Sequence, residues 1–105
     1  FRIDLQVKFL SLRKLIDSTQ TTYNRIDCLI LNAGVNAHFE FEDLKEASIF
    51  ETLMRVNFYA NVYITKFALP LLKRANGMIV TISSLSGKFG LPSRSAYCAS
   101  KFALT

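Results

Sequence analysis

Two short, continuous hydrophobic runs are the clearest structural signal in the chain. Residues 28–31 (CLIL) and 78–82 (MIVTI) do not alternate with polar positions, which is typical of strands covered on both faces by helices. Small polar residues follow each run, with NAG at residues 32–34 and SS at residues 83–84. The pattern therefore predicts two buried strands, each leading into a polar turn.

Helical periodicity fills the segments beside these runs. Residues 43–74 carry apolar side chains at three- and four-residue intervals. These positions are Leu53, Val56, Ala60, Ile64, Phe67 and Leu71. Pro70 is expected to bend or tighten this long helix near its end, and residues 76–77 (NG) to end it. A shorter amphipathic pattern covers residues 7–23, and another helix opens near Ser95.

The first five residues, FRIDL, have the character of the end of a further strand. The segments then follow the order βαβαβα, which predicts an α/β fold with a parallel sheet and right-handed crossovers. The chain starts without methionine and stops inside a predicted helix. We therefore expect residues 1–105 to be the central fragment of a single domain, truncated at both ends.

Composition and charge argue against several classes of protein. Half of the residues are hydrophobic and 12% are aromatic, which is enough for a packed core. The formal net charge is +5, but the 13 Lys and Arg residues are scattered, which favours a solvated surface over nucleic-acid binding. Polar residues and a proline interrupt residues 56–72, so a core helix is a better interpretation than a membrane span.

No metal or redox site is predicted. Cys28 and Cys98 lie far apart in the sequence and form no CxxC motif. Cys28 belongs to an apolar run and is expected to behave as a small buried hydrophobe. His38 is the single histidine and has no partner ligand in view, so a loop histidine is the favoured interpretation.

Polar side chains gather where the predicted strands end, which is where parallel α/β sheets bind ligands. Tyr97 and Lys101 are four residues apart and should share a helix face close to that edge. A phenol ordinarily keeps its proton up to about pH 10, but a nearby cation stabilises the phenolate. With Ser84 bonding a substrate oxygen, the set could pass a proton to or from an alcohol or carbonyl.

Each member of this set also has an ordinary structural explanation. A Tyr/Lys pair one turn apart usually reflects surface packing, and two serines after a strand usually mark its exit into a turn. Asn57 lies in an apolar helix, where a buried amide needs partners, but it could simply bond neighbouring backbone. Gly87 and Lys88 do not complete a phosphate loop, and no nucleophile elbow or GxGxxG motif is present.

Taken jointly, the motifs resemble the short-chain dehydrogenase/reductase family over essentially all 105 residues. NAG follows a strand, Asn57 lies in the next helix, Ser84 follows the next strand, and YCASK spans residues 97–101. The stretches ALPLLK, SSLSGK and ASKFAL are closer still to the 11β-hydroxysteroid-dehydrogenase-like branch. The resemblance implies a Rossmann-like, doubly wound parallel sheet, of which only the central portion is present.

The resemblance also implies a role for each matching residue. Tyr97 would be the general acid/base, Lys101 would support it and hold the nicotinamide ribose, and Ser84 would polarise the substrate oxygen. Asn57 would hold a water that links Lys101 to solvent. The cofactor cleft would be formed by Asn32, Ala33, Gly34 and, at the adenine, Asp4. Hydride transfer itself would belong to the nicotinamide.

The sequence departs from the family pattern in one small and one large respect. Leu31 stands where many members carry an asparagine before NAG. The glycine-rich phosphate turn and the strand that selects the cofactor are not among these residues. In the family's strand order 3-2-1-4-5-6-7, the visible strands would be the third, fourth and fifth. We therefore expect the fragment alone to leave strand edges unpaired and to be inactive.

The resemblance implies that the full-length protein is an oxidoreductase that interconverts an alcohol and a ketone or aldehyde. Its cofactor would be NAD or NADP, with NADP favoured. A small lipophilic, steroid-like carbonyl substrate and a cytoplasmic or endoplasmic-reticulum-associated location are expected. Apolar residues of the long helix suggest a homo-oligomer, either a dimer or a tetramer. A non-catalytic family member that senses cofactor or binds protein is the alternative, and a Ser/Lys hydrolase is a weaker one.

Overall fold

The described residues contain four α-helices and two β-strands. We describe the chain from a computed structural model that gives the backbone of residues 2–105 and the side chains of residues 9–105. The elements are α1 (Arg2–Tyr23), β1 (Cys28–Leu31), α2 (Ser48–Met54), α3 (Ala60–Ala75), β2 (Met78–Thr81) and α4 (Ser95–Leu104). Short 3₁₀ turns lie at Phe41–Asp43 and Leu85–Gly87, and the π-helical segment Arg55–Tyr59 joins α2 to α3.

The two strands pair in parallel. The Met78 amide donates to the Asp27 carbonyl at 2.9 Å, and the Ile82 amide donates to the Leu31 carbonyl at 2.9 Å. Donor and acceptor both advance by four residues in the same direction, as in a parallel ladder. The predicted α/β class and the positions of both predicted strands are therefore confirmed, although β2 ends at Thr81 and its four residues are exposed rather than buried.

Residues 1–30 and 60–80 form one compact unit, in which α1 packs against α3. Its apolar core consists of Ile16, Ile26, Ala68, Leu71 and Leu72. The three-to-four-residue spacing along α3 places Ile64, Phe67 and Leu71 towards this core, as the periodicity predicts. Burial of this stripe stabilises both helices.

Two asparagines in the left-handed conformation terminate the helices of this unit. Asn76 has φ of 50°, and the Gly77 amide donates back to the Leu72 carbonyl at 2.8 Å. This pattern is a Schellman motif, so the predicted stop of the long helix is confirmed. Asn24, with φ of 55°, ends α1 in the same conformation.

An exposed ion pair precedes β1. Arg25 donates to the Asp27 carboxylate through Nε at 2.8 Å. Side-chain hydrogen bonding from Arg25 is the main reason why the pKa of the Asp27 carboxyl lies below its ordinary value. The ion pair therefore stabilises the fold at pH values above the ordinary carboxyl pKa. This stabilisation is lost as the pH falls through the lowered pKa of Asp27.

Residues 31–59 and 81–105 form a second compact unit, in which α4 packs against α2, the π-helical segment and the Leu85–Gly87 turn. A β-carbon placed on Gly87 would lie 2.7 Å from Ser83 Oγ and 2.9 Å from the Lys101 carbonyl oxygen. The absence of a side chain at Gly87 thus allows the turn to approach α4. Cys98 is buried in this unit.

Three expectations about the elements are corrected. The strand predicted over residues 1–5 is wrong where the structure is described, because α1 begins at Arg2. Short apolar runs suit a helix as well as a strand, and a strand needs a neighbour to satisfy its backbone. The single long helix predicted over residues 43–74 is divided into a 3₁₀ turn, α2, the π-helical segment and α3. Cys28 is exposed rather than buried.

Two further findings concern the described part of the chain only. None of its helices combines the length and the apolar character that a membrane crossing requires. Nor do its His, Cys, Asp and Glu side chains form a group of three suited to a metal ion.

Candidate active site

Tyr97 and Lys101 share one face of α4, as their spacing predicts. The Lys101 amine lies 5.9 Å from the centre of the Tyr97 ring. Tyr97 lies in the first turn of α4 and is half-buried, whereas only 4% of Lys101 is exposed. A buried ammonium is costly unless it is hydrogen-bonded, and Lys101 Nζ donates to the Ile82 carbonyl at 3.0 Å. The carbonyl just beyond β2 therefore fixes the position of the cation.

Gly34 packs closely against both Asn57 and the Lys101 amine. A β-carbon on Gly34 would lie 3.7 Å from Lys101 Nζ and 3.2 Å from Asn57 Oδ1. An ammonium has three donors, and among the described residues the Ile82 carbonyl takes one of them. The remaining donors suit a hydroxyl-bearing ligand.

Asn57 lies in the π-helical segment and is completely buried. Its Oδ1 accepts from the Val35 amide at 2.8 Å, and its Nδ2 donates to the Val35 carbonyl at 2.9 Å. Nδ2 also donates to Ser100 Oγ at 2.9 Å. The bond to neighbouring backbone that the sequence left open is therefore present, while the predicted water relay remains a prediction. π-Helical turns are rare and recur at functional sites.

Ser84 and the NAG segment lie at the ends of the strands. Ser84 has extended backbone, with φ of −163°, and begins the Leu85–Gly87 turn, where its Oγ accepts from the Ser86 amide at 3.2 Å. No hydrogen bond joins it to Tyr97 or Lys101 within the described part of the chain. Asn32 and Ala33 are exposed after β1.

Asp4 cannot be placed in the same way. Its side chain lies outside the described residues, so its predicted contact with adenine remains a prediction. The other predicted site residues all belong to the second compact unit. Within it, Gly34, Asn57, Tyr97 and Lys101 come together, and Ser84 lies in the turn that packs against the same helix.

Two residues that contribute to this arrangement were missed by the sequence reasoning. Val35 supplies two backbone groups that the Asn57 amide binds, and Ser100 connects Asn57 to α4. The sequence does not indicate this role of Val35, because the residue contributes only main-chain groups. Ser100 has a weak signal in the sequence, because a serine inside a helix either faces solvent or bonds a nearby carbonyl.

A profile of the short chain dehydrogenase family matches residues 1–105. The chain belongs to this family. It is 42% identical to 11-beta-hydroxysteroid dehydrogenase-like 3 of Arabidopsis thaliana over 92 residues, which are 88% of this chain and 30% of that protein. It is 40% identical to an 11-beta-hydroxysteroid dehydrogenase of Pinus massoniana, again over 88% of this chain but 26% of that protein. The predicted likeness to that branch is thus confirmed.

Solved structures of the family share the fold of this chain. A short chain dehydrogenase/reductase from Saccharomyces cerevisiae matches with a TM-score of 0.84 at 32% identity, covering 90% of this chain and 37% of that one. A short chain dehydrogenase from Shigella flexneri complexed with NADP matches with a TM-score of 0.81 at 29% identity, covering 90% and 40%. The predicted Rossmann-like fold class is confirmed. The chain spans about a quarter to two fifths of the length of these relatives.

Proposed function

We propose that the full-length protein is an NAD- or NADP-dependent oxidoreductase that interconverts an alcohol and a ketone or aldehyde. The observation that carries this proposal is the Lys101 amine held 5.9 Å from the centre of the Tyr97 ring by the Ile82 carbonyl. A lysine ammonium held close to a tyrosine suits proton transfer between the tyrosine hydroxyl and a substrate oxygen.

The chain's own residues divide the reaction between them. In the reductive direction Tyr97 donates a proton to the substrate oxygen, and in the oxidative direction it accepts one. Lys101 stabilises the phenolate that forms, and Ser84 donates a hydrogen bond to the same substrate oxygen. Asn57 fixes the segment at Gly34 beside the lysine and holds the water through which Lys101 exchanges protons with solvent.

The residues at the site suit a nicotinamide cofactor. Lys101 and Tyr97 would hold the ribose next to the nicotinamide, while Asn32, Ala33 and Gly34 would line the cleft beside the adenosine half and Asp4 the adenine. The cofactor supplies the hydride. The NADP complex of the Shigella flexneri relative supports this assignment, and the likeness to hydroxysteroid dehydrogenases favours NADP.

The substrate and the assembly are part of the same proposal. The names of the plant relatives favour a lipophilic, steroid-like carbonyl or alcohol. Tyr59, Val62 and Leu69 expose apolar side chains, and such surface is typical of an interface. We therefore propose a homo-oligomer, a dimer or a tetramer, for the full-length protein.

Replacement of Tyr97 by phenylalanine tests the proposed chemistry. Tyr97→Phe removes the proton carrier and keeps the ring, so carbonyl reduction by the full-length protein should fall by about 10²–10⁴-fold or more. The cofactor dissociation constant, measured by fluorescence titration, should change less than about threefold, which is under 1 kcal/mol.

The matched control is Tyr23→Phe, because Tyr23 lies in the other compact unit and is exposed. This variant should retain wild-type turnover. Undiminished turnover in Tyr97→Phe would rule out the assigned role. A wild-type protein that binds NADPH but reduces no carbonyl compound would favour the non-catalytic alternative.

A further inference from the structure

Ser100 is a buried serine whose hydroxyl bonds two parts of the candidate site. None of its surface is exposed. Its Oγ donates to the Tyr97 carbonyl at 2.8 Å and accepts from Asn57 Nδ2 at 2.9 Å. It therefore joins the first turn of α4 to the π-helical segment, directly beside Lys101 in sequence.

These hydrogen bonds form a network that connects α4 to the segment after β1. The Asn57 amide donates to the Ser100 hydroxyl, which in turn donates to the Tyr97 carbonyl. On its other side, Asn57 pairs with both backbone groups of Val35, next to Gly34. Hydrogen bonds in such buried chains polarise and strengthen one another.

Loss of the Ser100 hydroxyl would affect residues 34–35, at the other end of the hydrogen-bond network. One Asn57 N–H would then lack the acceptor that it has here, and a buried amide that loses a partner tends to turn towards another. Rotation of the Asn57 side chain would move Oδ1 away from the Val35 amide. The backbone at Gly34, which packs closely against the Asn57 amide and the Lys101 amine, would lose its support.

We propose that Ser100 is a positioning residue for the reaction. Its hydroxyl fixes the orientation of the Asn57 amide, and through Asn57 it holds residues 34–35 in place beside Lys101. This role rests on the proposed function, because it concerns the efficiency of the proton transfer proposed above. Ser100 itself is not assigned any contact with substrate or cofactor.

The test compares Ser100→Ala with Ser86→Ala in the full-length protein. Ser86 is a matched control, since it is 1% exposed and its hydroxyl has no hydrogen-bond partner within the described part of the chain. Amide hydrogen exchange at Val35 is measured by NMR, together with kcat for a carbonyl substrate and the dissociation constant of NADPH.

Ser100→Ala should speed exchange at Val35 by about tenfold and lower kcat by about tenfold, each equivalent to roughly 1.4 kcal/mol. Ser86→Ala should change neither quantity. The NADPH dissociation constant should stay within about twofold in Ser86→Ala, which is about 0.4 kcal/mol, and should rise in Ser100→Ala, because Gly34 is assigned to the cofactor cleft. In an Asn57→Ala background, Ser100→Ala should have no further effect on kcat, because its partner is already absent.

Wild-type exchange at Val35 in Ser100→Ala would overturn the proposal. So would faster exchange spread evenly along the chain, which indicates general destabilisation. Should Ser100→Ala fail to fold, Ser100→Cys keeps a side chain of the same branching with a weak hydrogen-bonding group and should give an intermediate exchange rate. A wild-type protein without carbonyl reduction would defeat the proposed function alone, since exchange at Val35 still decides whether Ser100 holds Asn57.

Discussion

A side chain at Gly34 would meet both the Asn57 amide and the Lys101 amine. A β-carbon there would lie 3.2 Å from Asn57 Oδ1, tighter than ordinary van der Waals contact. Asn57 cannot easily yield, because Val35 and Ser100 hold its amide from both sides. At the scale of single residues, the geometry of the site thus depends on an absent side chain as well as on the polar groups.

Gly34→Ala should reduce activity more than stability. The methyl group must push the Asn57 amide, so kcat/KM should fall about tenfold, or roughly 1.4 kcal/mol. The cost of overpacking to the free energy of unfolding should be partly offset, because alanine lowers the entropy of the unfolded chain. This gain is about 0.4–1 kcal/mol and applies here since Gly34 has no positive φ. Steady-state kinetics and urea unfolding of the full-length protein measure both effects.

Gly90→Ala is the matched control for this substitution, because nothing lies within 4 Å of a β-carbon at Gly90. It should retain wild-type kinetics and be neutral or slightly stabilised. Wild-type kcat/KM in Gly34→Ala would show that the contact with Asn57 does not constrain the site.

At the scale of elements, the continuous apolar runs predicted the positions of the strands, whereas the sequence did not predict the irregular helical turn at Asn57. The strand over residues 28–31 has the predicted bounds, because polar residues follow the apolar run and β2 supplies a neighbour that pairs with its backbone. The π-helical turn at Asn57 was not predictable, since the side chain's partners are Val35 and Ser100, far away in sequence. The pairing of Tyr97 with Lys101 was predictable, because one helical turn fixes it.

The turn Leu85–Gly87 supports a prediction about how α4 is held. A methyl group on Gly87 would meet Thr105 Oγ1, Ser83 Oγ at 2.7 Å and the Lys101 carbonyl at 2.9 Å, so turn and helix must separate. Gly87→Ala should therefore lower the free energy of unfolding by about 1–3 kcal/mol. Urea denaturation of the full-length protein measures this change, and the midpoint should fall without a change in slope.

Thermal stability and turnover should also decline together in Gly87→Ala, because the displaced backbone belongs to Lys101. Gly90→Ala, three residues further along the chain, again provides the comparison. Equal unfolding midpoints in the two variants would mean that the turn adjusts to the added methyl group without cost.

At the scale of the whole molecule, the strand faces differ from what their sequence indicates. Both runs are continuous and apolar, which is typical of strands covered on two faces. Within the described residues, however, every residue of β2 is exposed, including 62% of Met78. Ile30 in β1 is likewise exposed. Because the chain spans only part of its relatives' length, the apolar runs match the environment of a longer domain better than that of these residues alone.

The 105-residue chain expressed on its own should therefore fold poorly. A two-stranded sheet with exposed apolar faces is marginal and invites edge-to-edge association. We expect a broad thermal transition by circular dichroism, strong binding of a hydrophobic dye, concentration-dependent association in gel filtration, and no measurable NADPH binding. The full-length protein should instead unfold in a sharp transition and bind NADPH. A monomeric 105-residue chain with a cooperative transition would contradict this expectation, because it would show that the helices alone supply enough buried apolar surface.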